Sequence, residues 1–209
     1  MGGPLDGIRV LDLTRVLAGP FATSLLADMG ADVIKVERPG DGDETRHLAP
    51  FRDGESHYFL SVNRNKRGVV IDLKQPAGRQ VVLDLARVSD VCIENFRPGV
   101  TRRLGLDYDS VKAVRPDLIY CSISAYGQTG PYAGRSAFDV AIQAMGGAMG
   151  VTGEPGGRPL RMGLPMADLS SGLFAAMGIL AAVVERQRTG NGQFVDVSMM
   201  DAMVGLLTQ

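Results

Sequence analysis

The chain has 209 residues, of which 45% are hydrophobic and 22% charged, and its 22 basic and 23 acidic residues give a net charge of −1. This composition is typical of a globular protein large enough to bury a substantial core. The balanced charge, and the lack of any run of 18 apolar residues, give no reason to expect nucleic acid or a membrane as a partner.

Strand-like and helix-like segments alternate along the chain. The first are a strand over 8–13, a helix over 21–29 and a strand over 32–36, followed by a polar surface loop over 38–57. Later segments predict strands over 69–73, 89–93, 118–124 and 193–198, and helices over 76–86, 107–114, 138–145, 168–188 and from 199 onward. This order predicts a doubly wound, Rossmann-like α/β domain with a mostly parallel sheet covered on both faces. The last apolar segment lacks a capping signal, so we expect the domain to be incomplete at its carboxyl end.

The two cysteines and the opening residues indicate the cellular compartment of the protein. Cys92 and Cys121 stand in apolar, strand-like runs, which favours buried free thiols in a reducing environment. The opening residues do not contain a basic segment followed by an apolar run, so we expect no signal peptide. Together these features predict a cytoplasmic protein.

In a doubly wound fold, ligands bind at the carboxyl ends of the strands, where helices begin. The segments at that rim are residues 17–18, Arg38, 95–97 and 124–127. Basic residues that could hold phosphates are grouped near them, although solvated surface charge is the alternative for each: Arg38, Arg64, Lys66, Arg67, Lys74, Arg97, Arg102 and Arg103.

Asp168 lies at the start of the longest predicted helix, because Gly163 and Pro165 stop a helix from extending further towards the amino end. Free N–H groups and a partial positive charge at a helix start favour a carboxylate, so position alone favours a capping role. The small residues at 167 and 170–172 indicate room beside the carboxylate for a large ligand, which favours a reactive group instead.

Seven motifs in order make the chain resemble the CaiB/BaiF, or class III CoA-transferase, family from end to end. They are residues 4–20 (PLDGIRVLDLTRVLAGP), 30–39 (GADVIKVERP), 65–67 (NKR), 94–99 (ENFRPG), 127–131 (GQTGP), 163–168 (GLPMAD) and 190–193 (GNGQ).

The resemblance implies that residues 1–209 are the large CoA-binding domain and that Asp168 is the acyl-accepting nucleophile. It implies an acyl-CoA and a free carboxylic acid as substrates, with no tightly bound cofactor, no metal, and no nucleic acid or membrane partner. Family members also have a second, smaller domain and a returning carboxyl-terminal segment, neither found in this sequence, and they form interlocked homodimers.

The resemblance further implies a set of CoA contacts. From the nucleotide end to the reacting end these are Leu17 and Ala18, Arg38, Asp72 with Leu73 and Lys74, Asn95 with Phe96 and Arg97, the phosphate-binding Arg103, and Ala137 with Phe138 and Asp139 beside the nucleophile. Formyl-CoA transferases have Gln in place of Leu17 and Tyr in place of Phe138, so we do not expect exchange between oxalate and formate.

Three alternatives remain open. The α-methylacyl-CoA racemase branch of the family moves a proton with a His in a Gly-His-Asp segment, but residues 137–139 are Ala-Phe-Asp, and His47 and His57 lie in predicted loop regions. A non-catalytic CoA-binding subunit would not turn over an acyl-CoA with a free acid. A dinucleotide-dependent dehydrogenase would need the G-x-G-x-x-G fingerprint, which the sequence lacks.

Overall fold

The structure is a computed structural model, and it describes residues 2–208. The strands, in chain order, are β1 (Arg9–Asp12), β2 (Asp32–Glu37), β3 (Phe51–Arg52), β4 (Glu55–Ser56), β5 (Lys66–Val70), β6 (Val91–Glu94), β7 (Ile119–Ser124) and β8 (Phe194–Ser198). The helices are α1 (Ala18–Asp28), α2 (His57–Asn63), α3 (Pro76–Arg87), α4 (Val100–Leu104), α5 (Tyr108–Val114), α6 (Asp139–Met145), α7 (Met166–Thr189) and α8 (Met199–Gly205).

Six of these strands form one parallel sheet in the order β5-β2-β1-β6-β7-β8, while β3 and β4 form a separate antiparallel hairpin. The strand order reverses between β1 and β6, so the connections leave in opposite directions from this point. That reversal opens a crevice at the carboxyl ends of β1 and β6, which is the usual ligand position in such sheets. The predicted doubly wound α/β fold is therefore confirmed.

Side chains alternate between the two faces of the sheet, as the pleat of a strand requires. On one face, Val10 and Cys121 pack in a core with α1, α6, α7 and α8. On the other face, Leu11 and Cys92 pack with α3 and α5. Both cysteines are free and fully buried, as the sequence predicts, and they lie on opposite faces of the sheet.

Two element boundaries differ from the prediction. The third strand of the sheet, β5, spans Lys66–Val70 and not residues 69–73, because the polar residues at 66–68 pair in register with Val33–Lys35 at the open edge of the sheet. An edge strand is partly solvated and needs no apolar run, so hydrophobicity does not mark its start. The predicted loop over 38–57 contains a 3₁₀ turn over Glu44–His47 and the β3–β4 hairpin, and α2 follows, capped by the Ser56 side chain.

Helix α7 packs through its small residues, which corrects the expectation that they leave an open space. Ala167, Ser171 and Gly172 are buried in this contact. A Cβ atom on Gly172 would lie 2.7 Å from the Ala18 carbonyl oxygen of α1, so only glycine permits this close approach. Larger apolar side chains of α7, such as Met177, face outwards. The helix is long and apolar enough to cross a bilayer by length and composition alone, and half of the apolar window is buried inside the molecule, as in a core helix.

Candidate active site

Two neighbouring cavities lie at the carboxyl rim of the sheet. The first, called here the rim pocket, has a volume of about 150 Å³ and is lined by residues that follow β1, β2, β5 and β6. The second, called the aspartate cleft, has a volume of about 590 Å³ and is lined by residues of α1, α2, α6 and the start of α7. The size of the cleft is within the usual range for small-molecule sites.

The structure distributes the predicted site residues between these cavities. Those that line the rim pocket are Arg38, Asp72, Leu73, Lys74 and Phe96. Those that line the aspartate cleft are Leu17, Phe138, Asp139 and Asp168. Leu17, which the resemblance placed at the nucleotide end of CoA, thus lies in the same cavity as Asp168. Those that line neither cavity are Ala18, Asn95, Arg97, Arg103 and Ala137.

Two residues of this last group already have structural roles. Ala18 is 3% exposed and lies in the contact between α1 and α7. The Asn95 side chain donates a hydrogen bond to the Arg15 carbonyl (2.8 Å) and accepts one from the Arg15 N–H (2.9 Å). These bonds hold the turn after β1 against the segment after β6, so Asn95 supports the rim pocket without lining it. Their predicted contacts with CoA stay predictions.

Ion pairs separate three residues of the predicted basic cluster from the others. Arg64, Lys66 and Arg67 are paired with Asp28, Asp12 and Asp32, respectively, and line neither cavity. Their charges are compensated by these aspartates, and they lie apart from the rim pocket.

The basic residues that line the rim pocket are Arg15, Arg38, Lys74 and the buried Lys35. Arg15 lies 2.7 Å from Glu44 and Lys35 lies 2.9 Å from Asp43, so the positive charge without a close partner belongs to Arg38 and Lys74. Arg38 makes only long contacts, 3.6 Å to Asp41 and 3.9 Å to Glu44, and Lys74 has no ion pair among residues 2–208. Two loosely held cations at one pocket are suited to phosphate oxygens.

A buried ion pair, missed by the sequence reasoning, supports the rim pocket. The Lys35 ammonium lies 2.9 Å from Asp43 and donates to the Thr14 carbonyl at 2.9 Å, and the Lys35 and Asp43 side chains are 2% and 1% exposed. Asp43 also accepts from the N–H of Val16, whose φ of 67° is unusual for a β-branched residue. The pair thus fixes the strained turn after β1. Its one signal in the sequence is a lysine inside the apolar strand Val-Ile-Lys-Val.

Asp139, and not Asp168, caps helix α7. One carboxylate oxygen of Asp139 accepts from the N–H groups of Ala167 (2.8 Å) and Asp168 (3.3 Å), and the other accepts from Gln143 at 2.6 Å. The first-turn N–H groups are therefore satisfied by a residue of α6. In the part of the chain that the structure describes, no hydrogen bond reaches the Asp168 carboxylate. The capping interpretation of Asp168 is wrong for this reason, and its carboxylate is left available to the cleft.

The environment of Asp168 disfavours its charge. Burial, and then the negative charge of Asp139, raise the pKa of Asp168 to about 7. A carboxylate that is partly desolvated and not hydrogen-bonded retains its lone pairs for reaction, which is the property of an activated nucleophile. Perturbed carboxyl groups in a cleft are typical of functional sites.

Two further residues of the cleft were missed by the sequence reasoning. Tyr58 of α2 lies near the carboxylates, and burial together with the charge of Asp168 raises the pKa of its phenol to about 12. The phenol therefore stays protonated and can donate a hydrogen bond. Among residues 2–208, Arg161, in the segment before α7, is the one basic residue that lines the cleft. Neither residue belongs to a motif, so only their positions in space indicate a role.

Comparisons with known proteins identify the family of this chain. The sequence profile of CoA-transferase family III matches residues 5–209. Succinyl-CoA:glutarate CoA-transferase from Mus musculus is 51% identical, with 99% of this chain and 48% of the relative covered, and acetyl-CoA:oxalate CoA-transferase from Acetobacter aceti is 48% identical, with 98% and 53% covered. The chain spans about half the length of the curated relatives it matches.

Solved structures match the fold closely. The crystal structure of a CaiB/BaiF family protein from Brucella suis superimposes with a TM-score of 0.96 at 46% identity, covering 100% of this chain and 56% of that one. Rv3272 from Mycobacterium tuberculosis superimposes with a TM-score of 0.92 at 40% identity, covering 98% and 57%.

Proposed function

Because the chain belongs to CoA-transferase family III, we propose that the protein moves CoA from an acyl-CoA thioester to a free carboxylic acid, with Asp168 as nucleophile. The observation that carries this proposal is the Asp168 carboxylate, which lies in a cleft, is mostly desolvated, and is relieved of helix capping by Asp139. CoA and its acyl thioesters are substrates, and no tightly bound cofactor or metal is invoked.

The reaction proceeds through two kinds of aspartyl intermediate. An Asp168 oxygen attacks the thioester carbonyl, the C–S bond breaks, CoA leaves as a thiolate, and a mixed anhydride forms. The thiolate then attacks the aspartyl carbonyl, releasing the donor acid as a carboxylate and leaving an aspartyl-CoA thioester. The acceptor carboxylate attacks this thioester, giving a new anhydride and thiolate. Attack of the thiolate on the acceptor acyl carbon yields the new acyl-CoA and restores Asp168, with no net change in protons.

The two cavities suit the two ends of an acyl-CoA. Arg38 and Lys74 place positive charge at the rim pocket for the nucleotide phosphates. Leu17 and Phe138 provide apolar surface in the aspartate cleft for the acyl group. A thioester held between them reacts as an intramolecular partner of Asp168, which offsets the weak nucleophilicity of a carboxylate.

An exchange assay tests the proposed function. A panel of acyl-CoA donors and free acids is incubated with the native protein, and the acyl-CoA products are read by mass spectrometry. Relatives are named for succinate, glutarate and oxalate, so the panel starts with these acids. Parallel incubation in deuterium oxide detects exchange of the α-proton, which a racemase would catalyse. No histidine is among the residues lining the cleft, so we expect acyl exchange without deuterium incorporation.

We expect Arg38→Ala and Lys74→Ala each to weaken CoA binding by about 10- to 100-fold, the usual effect of losing a hydrogen bond to a charged group. Calorimetric titration with CoA measures this effect, and dephospho-CoA identifies which residue meets the 3′-phosphate. Arg52→Ala is the matched control, because Arg52 is an exposed cation of the β3–β4 hairpin outside both cavities. Equal affinity in all variants would place the phosphates elsewhere.

We expect Asp139→Asn to move the rising limb of the pH profile of kcat/KM to lower pH. Only ionised Asp168 can attack, so the rate rises as pH increases through the Asp168 pKa of about 7. The substitution removes the negative charge that, after burial, raises this pKa. Burial remains, so the limb shifts towards the ordinary carboxyl range without reaching it. An unmoved limb would contradict electrostatic coupling between the two residues.

We propose further that the whole protein has the second domain and returning segment of its family, and that it acts in the cytoplasm as an interlocked homodimer. This proposal is supported by the exposed apolar side chains of α7, among them Leu173, Phe174 and Met177, which a partner surface would cover. Light scattering on the native protein measures the oligomeric state.

A further inference from the structure

A buried lysine joins three elements next to the aspartate cleft. The Lys66 ammonium donates hydrogen bonds to the Asp12 carboxylate of β1 (3.2 Å), the Pro20 carbonyl of α1 (3.0 Å) and the Asn63 side-chain oxygen at the end of α2 (2.9 Å). The side chains of Lys66 and Asp12 are 2% and 0% exposed. An ammonium has three N–H groups, so each has an acceptor within the protein.

Both members of this ion pair are charged at neutral pH. Burial tends to raise the pKa of Asp12, but the charges of Lys66 and Lys35 outweigh burial and lower that pKa to about 2. Burial lowers the pKa of Lys66 to about 8, although the charge of Asp12 opposes this effect. Lys35 and Asp43 are the other charged groups that act on Lys66. The groups that α1 and α2 present to its ammonium, a carbonyl and an amide oxygen, are uncharged.

The hydrogen bonds of Lys66 end beside residues that line the cleft. Pro20 precedes Phe21 on α1, and Asn63 follows Val62 on α2, and both Phe21 and Val62 line the cleft. Lys66 does not line the cleft itself. The ammonium therefore links two walls of the cleft from the protein interior.

The same two walls are placed relative to Asp168. Helix α1 packs closely on α7 at Gly172, one turn after Asp168. The amino end of α2 is capped by Ser56, so its carboxyl end is the end that Lys66 holds. The spacing between α1 and α2, and with it the width of the cleft, thus depends on this ammonium.

We propose that Lys66 is a positioning residue of the transferase, whose ammonium holds α1 and α2 at the spacing that directs the acyl carbon towards Asp168. This inference rests on the proposed function. Lys66 is placed to act through the walls of the cleft, and the charges proposed to hold the CoA phosphates lie in the rim pocket. Its loss is therefore expected to slow turnover of bound substrate without weakening the binding of CoA.

Loss of the Lys66 proton should act like loss of the side chain. A neutral amine donates only two hydrogen bonds, and Asp12 then keeps a buried charge without a counter-ion. Native kcat should therefore fall as pH rises through about 8, the pKa of Lys66, towards the kcat of Lys66→Met. This variant has no ammonium to titrate, so its kcat should not fall in that range. Ionisation of Asp168 changes the rate in the opposite direction and at lower pH.

The test compares the native protein with Lys66→Met. Exchange is measured with succinyl-CoA and glutarate or, if these do not react, with the fastest pair of the exchange panel, from pH 6 to about pH 9.5, a range that spans both pKa values. We expect Lys66→Met to lower kcat at neutral pH by about 10- to 100-fold, the usual effect of misplacing a reacting group by about 1 Å. CoA affinity, measured by calorimetry, should stay within about 3-fold of native, as for sites that do not share contacts.

Three further variants separate positioning from damage to the fold, which circular dichroism monitors. Lys66→Met/Asp12→Asn removes the unpaired charge, so it should fold but remain slow, because the link between the helices is still missing. Lys66→Arg stays charged throughout this pH range, so it should retain part of the native rate and lose the alkaline fall. Arg67→Met is the matched control, because Arg67 is an exposed neighbour outside both cavities that pairs with Asp32. It should keep the native rate and the alkaline fall.

Several results would overturn the inference. A folded Lys66→Met or double variant with native kcat would show that the ammonium does not set the cleft. Parallel losses of kcat and CoA affinity would mean that Lys66 supports the fold as a whole. An alkaline fall that persists in Lys66→Arg would belong to another group. Each of these results leaves the proposed function standing, whereas native protein that exchanges no pair of the panel would reject both.

Discussion

Replacing Asp168 with asparagine is expected to abolish acyl exchange, with a loss of roughly four orders of magnitude or more, as for other enzymes that lose a covalent nucleophile. An amide has no anionic oxygen to attack a thioester, so the anhydride cannot form. CoA affinity should stay unchanged, because the charges proposed to hold the phosphates lie in the rim pocket, at Arg38 and Lys74. Exchange is followed by mass spectrometry, and CoA affinity by calorimetry.

Two further experiments make this result specific. Native protein incubated with a donor thioester and hydroxylamine should yield a hydroxamate on Asp168, detectable in the corresponding peptide. Asp201→Asn is the matched control, because Asp201 is also an acidic residue in the first turn of a helix, α8, but lies outside both cavities. Near-normal turnover by Asp168→Asn would reject the nucleophile assignment.

Replacing Lys35 with methionine is expected to lower the free energy of unfolding by about 3–5 kcal/mol, the usual cost of removing one partner of a buried ion pair. The substitution leaves Asp43 charged and almost fully buried without its cation. Because Asp43 also holds the turn at Val16, we expect the rim pocket to loosen as well. Chemical denaturation of the native protein and the variant measures the loss.

The double variant Lys35→Met/Asp43→Asn checks the cause. It removes the unpaired charge, so part of the lost stability should return. Lys112→Met serves as the control, because Lys112 is an exposed lysine of α5 whose ammonium lies 5.3 Å from the centre of the Tyr108 ring. This substitution should lower the free energy of unfolding by less than about 1 kcal/mol. Equal losses in the single and double variants would mean that packing, and not the buried charge, determines the effect.

Asp168 shows most clearly which features of the site could be predicted from the sequence. Its place in the first turn of α7 could be predicted, because Gly163 and Pro165 are local signals that end a helix pattern. Whether it caps that helix could not be predicted, because the cap is Asp139, which lies 28 residues before Ala167. Propensities act over a few residues, and contacts across helices depend on packing.

Among the other residues of the two cavities, some could be predicted from the sequence and some could not. Arg38 directly follows β2 and Lys74 lies shortly after the end of β5, and the pattern of strands indicated the edge at which these two strands end. Tyr58 and Arg161 come to the cleft on a short helix and an irregular segment. Their positions depend on how these segments pack against α1 and α6, which no local pattern encodes.

Local hydrophobic pattern and motifs in order were enough to predict the alternation of strands and helices, the parallel sheet, the buried cysteines and the family. The start of the edge strand β5, the packed face of α7, the carboxylate that caps that helix and the cation that lines the cleft became visible only in the folded protein. Those outcomes depend on contacts between residues far apart in the chain, whose energies are set when the layers pack together.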